Sequence, residues 1–302
     1  MKYTIEMSVQ VEPLGMMSGV PVIPWDDYRL AKLREIAGRY EIRSDFVSKL
    51  RQLEAYEIVI VCDDSGSMSN TISTTDTTGG NPYGKRHTRW DELKHYVSIV
   101  TDIAGVLDQN GLDVYFLNRA GLTGITSSEQ IQATFSVGPN GYTPIPRVLK
   151  QIFGNWRNQE KKLLVIIATD GKPTDDNGND ATSEFYNCLK TRSSNIVVSI
   201  IACTDDNVTM DYLNQIDTVI PSVDVNDDYN SEAQEVARVQ GNMFAFSFGD
   251  YVVKTLLGPV DNYFDNLDES KFTNVNRDRR AAIAYTASNV SSDAVDGCCS
   301  IM

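Results

Sequence analysis

Residues 57–68 read EIVIVCDDSGSM, in which an apolar run is followed directly by a polar segment. Residues 58–61 form an uninterrupted β-branched run, which is typical of a buried strand at the centre of a parallel sheet. The run ends in a polar turn where Asp63, Ser65 and Ser67 alternate around a glycine. Carboxylate and hydroxyl oxygens at a single turn suit a hard divalent cation, and magnesium best if the geometry is octahedral. The stretch therefore predicts a strand followed by a metal-binding loop.

Two other segments carry side chains of the same chemical kind. Residues 162–169 (KLLVIIAT) predict a second buried strand, which ends at Asp170. Thr143 comes before a proline and a helical pattern over 144–156, so its hydroxyl is expected at the N-cap. In a doubly wound sheet, ligands bind outside the carboxyl ends of the strands. Five oxygen-bearing side chains are therefore expected to converge on one metal ion: Asp63, Ser65, Ser67, Thr143 and Asp170.

This combination of D-x-S-x-S, threonine and aspartate resembles the metal ion-dependent adhesion site of von Willebrand factor A domains. The resemblance covers roughly residues 45–268. It implies an α/β fold with a doubly wound, mostly parallel sheet flanked by helices on both faces, a Rossmann-like arrangement. It also implies that Asp63 and Asp170 hold Mg²⁺ (or Mn²⁺), partly through water, while the three hydroxyls supply direct or switchable oxygens. In that family, a carboxylate from a partner protein completes the coordination.

The remaining pattern divides the chain into three parts: an N-terminal extension (1–44), the domain (45–268) and a flexible tail (269–302). The extension carries a strand-like alternation over 2–11 and a helical pattern over 28–39. Helices are expected at 89–109, 183–192, 208–216, 229–240 and across 248–267 with a break at Gly258-Pro259, and strands at 112–117, 196–203 and 218–225. The polar insert 70–88 borders the metal loop, so it is a candidate for partner contact. Its basic end is predicted to be a solvated loop tip, which comprises Lys85, Arg86, His87 and Arg89.

Composition limits the classes of partner. The chain has 302 residues and a formal net charge of −14, which argues against nucleic-acid binding and against unaided adsorption to anionic lipid. The N-terminal segment has no apolar core of signal-peptide length, and no apolar run is long enough to span a bilayer. The five cysteines show neither a disulfide framework nor zinc spacing. These observations predict a reducing, cytoplasmic location and not secretion.

The last five residues, Cys298-Cys299-Ser300-Ile301-Met302, match a CaaX lipidation box. The final methionine favours farnesylation of Cys299, and the adjacent Cys298 is a candidate for palmitoylation. One lipid gives weak and reversible membrane binding, whereas two give stable attachment. The box predicts a eukaryotic-type protein on the cytosolic face of a membrane.

Three functions compete. The first is a non-enzymatic binding module, in which neutral hydroxyl ligands leave the metal enough positive charge to attract a partner's carboxylate. The alternative is a magnesium-dependent hydrolase, for instance a phosphatase, in which a metal-bound water attacks phosphate. Such an enzyme needs a general base and basic groups at the site, and Lys172 is the only evident candidate. The third is a passive membrane-tethered scaffold, which the intact set of five ligands disfavours.

Overall fold

The computed structural model describes residues 27–72, 87–156, 160–204, 212–213, 216 and 219–269. Four sequence predictions lie wholly or largely outside these residues: the strand at 2–11, most of the insert 70–88, most of the helix at 208–216, and the tail 269–302 with Cys298 and Cys299.

The described chain forms an α/β fold around a six-stranded sheet in the order β3-β2-β1-β4-β5-β6. The strands are β1 (Tyr56–Cys62), β2 (Leu112–Phe116), β3 (Leu122–Ile125), β4 (Lys162–Thr169), β5 (Ile196–Ala202) and β6 (Val223–Asn226). All neighbouring pairs are parallel except β2 and β3, which are antiparallel. The strand predicted from the opening sequence stretch therefore lies at the centre of a mostly parallel sheet.

Helices occupy most of the connections between strands. They are α1 (Asp27–Arg39), α2 (Ser44–Val47), α3 (Arg89–Leu107), α4 (Gln132–Phe135), α5 (Ile145–Asn155), α6 (Thr182–Thr191), α7 (Tyr229–Gln240), α8 (Phe248–Leu257) and α9 (Asn262–Asp265). A capping box starts α3: the Thr88 hydroxyl accepts from the backbone N–H of Asp91, and the Asp91 carboxylate accepts from the backbone N–H of Thr88. This reciprocal pair satisfies two N–H groups that the helix cannot satisfy itself, and so fixes where α3 begins.

The central strands divide their side chains between two buried clusters, because successive residues of a strand point to opposite faces. Ile58, Ile60 and Cys62 belong to a cluster that includes Leu33 of α1 and residues of α3 and α8. Val59 and Val61 belong to a second cluster with residues of α5 and α6. Since Leu33 is 2% exposed, the helical part of the predicted N-terminal extension shares the core of the domain.

Register determines which loops meet at the sheet edge. β1 pairs with β4 from Tyr56↔Lys162 to Cys62↔Ala168. Asp63 and Thr169 follow this last pair and therefore lie side by side. Asp170 comes one residue later. This pairing brings together two loops that are separated by about a hundred positions in sequence.

The structure differs from the sequence predictions in three elements. The short edge strand β3 is not among the predicted strands, and its burial is uneven, with only Ile125 buried. The last strand is predicted at 218–225 but begins at Val223, and Val219 has helical geometry. The helix predicted from Pro144 begins at Ile145, with Pro144 itself in the N-cap position.

Candidate functional site

Asp63 lies directly after β1 with its side chain inside the protein, where it is 1% exposed. One carboxylate oxygen accepts the backbone N–H of Ser65 at 2.8 Å, and the other accepts the Thr169 hydroxyl at 2.6 Å. The backbone N–H of Asp63 donates to the carbonyl of Ala168, which continues the β1–β4 ladder for one residue. The sheet itself therefore holds this carboxylate in place.

A chain of hydroxyls connects the first loop with the second acid. The hydroxyls of Ser65 and Ser67 lie 3.0 Å apart, and the Ser67 hydroxyl donates to Oδ1 of Asp170 at 2.7 Å. Ser65 is 3% exposed and Asp170 is 5% exposed, whereas Ser67 is open to solvent. Four of the five predicted ligands thus lie in one region, with Ser67 giving access from outside.

Thr143 is brought to the same region by backbone contacts. The N–H of Gly66 donates to the carbonyl of Gly141, and the N–H of Thr174 donates to the carbonyl of Thr143. The Thr143 loop is therefore bonded both to the loop after β1 and to the loop after β4. Gly141 has φ +121°, and a side chain there would meet Asn118 at 2.4 Å, so the close approach requires glycine.

The Thr143 hydroxyl has a different role from the predicted N-cap. Helix α5 has no side-chain cap, because Pro144 occupies the N-cap position. Thr143 is 7% exposed, and among the described residues its hydroxyl makes no hydrogen bond. This oxygen is therefore available to a metal ion or another ligand.

Arg89 is the main feature of the site that the sequence interpretation missed. The prediction of a solvated loop tip is wrong for this residue: its guanidinium donates to Oδ2 of Asp170 at 2.8 Å and to the Thr204 hydroxyl at 2.9 Å. The Arg89 side chain is 17% exposed and that of Asp170 is 0% exposed. A usable signal exists in the sequence, since the capping pattern Thr88-x-x-Asp91 starts the helix that follows β1 and so places Arg89 in its first turn.

Electrostatics at the site favour an added cation. Burial, and then repulsion from Asp170, raises the pKa of Asp63 to about 6, although hydrogen bonds from Thr169 and Ser65 lower it. A divalent ion between the two carboxylates removes that repulsion. The donor set, two carboxylates and three hydroxyls, consists of hard oxygen atoms and suits magnesium or manganese. The residues present therefore fit the implied metal.

Neighbouring acids have other partners. Asp64 is fully buried and accepts from Asn118 and Arg119. Asp175 accepts from Asn179 and so closes its own loop, and Asp176 pairs with Arg147. In the described part of the chain, no group of three or more His, Cys, Asp or Glu side chains could hold a metal ion. The candidate site contains two carboxylates and takes its other oxygens from hydroxyls.

Within the described residues, no helix has the length and apolar character needed to cross a bilayer.

Comparisons with known proteins give little further information. No family model matches the chain, and no curated protein matches it. Among solved structures, proximal thread matrix protein 1 from the mussel byssus is similar to this chain, with 21% sequence identity over 59% of the chain and a TM-score of 0.40. The chain spans 45% of the length of that protein. A similarity at this level carries no argument about function.

Proposed function

We propose that this protein is a metal-dependent binding module in which Mg²⁺ (or Mn²⁺), held by Asp63, Ser65, Ser67, Thr143 and Asp170, coordinates a carboxylate of a partner protein. One observation carries the proposal. The Ser65–Ser67–Asp170 hydrogen-bond chain lies at the same sheet edge as the buried Asp63, at the carboxyl ends of β1 and β4. When bound, the metal supplies a Lewis-acidic centre for an anionic oxygen.

The chain's own residues favour binding over catalysis. Three of the five ligands are neutral hydroxyls, so a divalent ion is offset only by the two carboxylates. Arg89 adds a further positive charge next to Asp170. The loaded site therefore carries excess positive charge and attracts an anion. Ser67 is exposed, so the partner can approach from that side.

The proposal includes the finer description of the fold. The two buried clusters, one with α1, α3 and α8 and the other with α5 and α6, support helices on both faces of the sheet, as in a doubly wound von Willebrand factor A domain. In such a sheet, the loops after β1 and β4 flank the edge where ligands bind.

We extend the proposal to membrane attachment by lipid. The motif Cys298-Cys299-Ser300-Ile301-Met302 supports farnesylation of Cys299 and palmitoylation of Cys298 on the cytosolic face of a membrane. The net charge of −14 gives no attraction to anionic headgroups, so lipid has to supply the attachment.

Affinity capture with the full chain tests the binding function. Immobilised wild type is incubated with eukaryotic cell lysate in magnesium, then eluted with chelator, and Asp63→Ala serves as the metal-deficient comparison. We expect a partner that is retained by the wild type in magnesium, released by chelator and not retained by the variant. Replacing the partner's contacting Asp or Glu by the amide should abolish binding. A partner that stays bound in chelator, or that binds Asp63→Ala equally well, would contradict the proposal.

A further inference from the structure

Arg89 places a permanent positive charge next to one of the two candidate metal-binding carboxylates. Nη1 of Arg89 donates to Oδ2 of Asp170 at 2.8 Å, and Nη2 donates to the Thr204 hydroxyl at 2.9 Å. Two hydrogen bonds in different directions fix the orientation of the planar guanidinium group. Arginine stays protonated at all physiological pH values, so this charge is always present.

When a divalent ion is bound at Asp170, it has to lie close to the partly buried guanidinium of Arg89. The Asp170 side chain is fully buried, and its other oxygen already accepts from Ser67 at 2.7 Å. A metal ion at Asp170 shares this carboxylate with Arg89, and the positive charge of Arg89 repels the ion. Because charges in a partly buried site are poorly screened, the repulsion is stronger than it would be at an open surface.

Charge balance connects this repulsion to the partner. Without Arg89, the two carboxylates Asp63 and Asp170 balance the charge of a divalent ion. With Arg89, the loaded site has one positive charge too many. A carboxylate from a partner supplies the missing negative charge. A bound carboxylate therefore strengthens metal binding, and a bound metal strengthens carboxylate binding. Such coupling is reciprocal by thermodynamic necessity.

We propose that Arg89 makes metal binding and carboxylate binding cooperative: it weakens the affinity for the metal alone and so couples metal occupancy to the presence of the partner. The inference rests on the proposed function and concerns the regulation of the same site. Arg89 acts here through Asp170 and the local charge. A purely structural role predicts the opposite effect on the affinity for the metal, because an arginine that only positions Asp170 would strengthen metal binding.

Calorimetric titration of the full-length chain with magnesium chloride tests this, using acetate as the probe carboxylate and chloride at matched ionic strength as its control. For the wild type, we expect acetate to tighten magnesium binding by about fivefold or more. For Arg89→Gln, we expect magnesium alone to bind about tenfold more tightly and the effect of acetate to become small. Arg89→Lys keeps the charge and should restore wild-type coupling.

Arg147→Gln is a matched control for the loss of one arginine near the site, since Arg147 is half exposed and pairs with Asp176 in a neighbouring loop. It should behave as the wild type. If Arg89→Gln binds magnesium as weakly as the wild type, or more weakly, the inference is wrong and Arg89 only positions Asp170. If acetate tightens magnesium binding equally in both proteins, it is also wrong. A wild type without saturable magnesium binding is a separate outcome, which overturns the proposed function and the inference with it.

Discussion

The carboxylate of Asp64 accepts the Nε–H of Arg119 at 2.6 Å, in a position where the Asp64 side chain is 0% exposed. Its other oxygen accepts from the backbone N–H of Asn118 at 2.8 Å and from the Asn118 side chain at 3.1 Å. The adjacent acid, Asp63, has no partner in common with it. The two consecutive aspartates at the end of β1 therefore have different roles. Asp64 connects β1 to the β2–β3 loop through hydrogen bonds, and Asp63 faces the candidate metal site.

The first prediction follows from this separation. Asp64→Ala leaves the Arg119 guanidinium without its buried counter-ion, and removing one partner of a buried pair costs about 3–5 kcal/mol. Asp64→Asn should cost less, because it can still accept from Asn118. Urea unfolding measures the difference, with Asp176→Ala as a control at an exposed pair. A fully stable Asp64→Ala protein would show that this contact is not structural.

Magnesium should stabilise the wild-type fold. A ligand at about a hundred times its dissociation constant adds about 2.7 kcal/mol to the free energy of unfolding. Asp63→Ala and Asp170→Ala each remove one of the two charged ligands and should abolish the response. Asp176→Ala, which removes an exposed acid nearby, should keep it. Thermal unfolding with and without magnesium checks this, and equal stabilisation of all four proteins would place the ion elsewhere.

Thr143 provides a test of a hydroxyl ligand. Thr143→Val keeps the shape of the side chain but removes the oxygen, so it should weaken magnesium binding. Thr143→Ser keeps the oxygen and should bind nearly as the wild type does. Titration of both variants measures the contribution of the hydroxyl. Because no described residue bonds to this hydroxyl, loss of affinity in Thr143→Val can be assigned to the ligand. Equal affinities in the two variants would remove Thr143 from the ligand set.

The pH dependence of stability should contain a contribution from Glu92 in the first turn of α3. Burial, and then repulsion from Asp228, raises the pKa of Glu92 from 4.5 to about 7. The native state therefore keeps a proton that the unfolded chain releases above pH 4.5, and stability falls as pH rises from about 4.5 to 7. The full effect is at most about 3 kcal/mol.

Glu92→Gln lacks this ionisable group, so its stability relative to the wild type should increase between pH 5 and pH 8. Urea unfolding of both proteins at the two pH values measures this difference. Glu184→Gln, at an exposed glutamate, is the control for the substitution itself. A difference between Glu92→Gln and the wild type that is the same at both pH values would contradict the prediction.

Membrane residence should depend on the C-terminal cysteines. A farnesyl group alone gives partial association, and acylation of Cys298 should make it stable, because lasting attachment needs two anchors. Fractionation of cells that express wild type, Cys298→Ser and Cys299→Ser should show a graded loss. Cys299→Ser should be wholly cytosolic, since acylation usually follows prenylation. Its persistence in the membrane pellet would show that the lipidation box is not used.

Much of the fold and of the candidate site could be predicted from local sequence. β1 and β4 contain unbroken apolar runs at 58–62 and 163–168, and the run in β5 is interrupted only by Ser199. Such runs are typical of a buried parallel strand. Each of the first two ends in a polar turn, so the positions of Asp63, Ser65, Ser67 and Asp170 follow from the alternation of strands and helices. β3 was not predicted because it is only four residues long, most of its side chains are accessible to solvent, and Gly124 interrupts it.

Hydrophobic periodicity depends on residues a few positions apart, so the sequence by itself determined the central strands, the approximate bounds of the long helices and the polar residues that follow β1 and β4. Only the tertiary structure decided which charges meet. Arg89 and Asp170 are 81 positions apart, and Asp64 and Arg119 are 55 apart. Their pairing depends on the strand order and on the register Cys62↔Ala168. Strand order depends on how the whole core packs, and residues that are neighbours in sequence do not specify which strands become neighbours in the sheet.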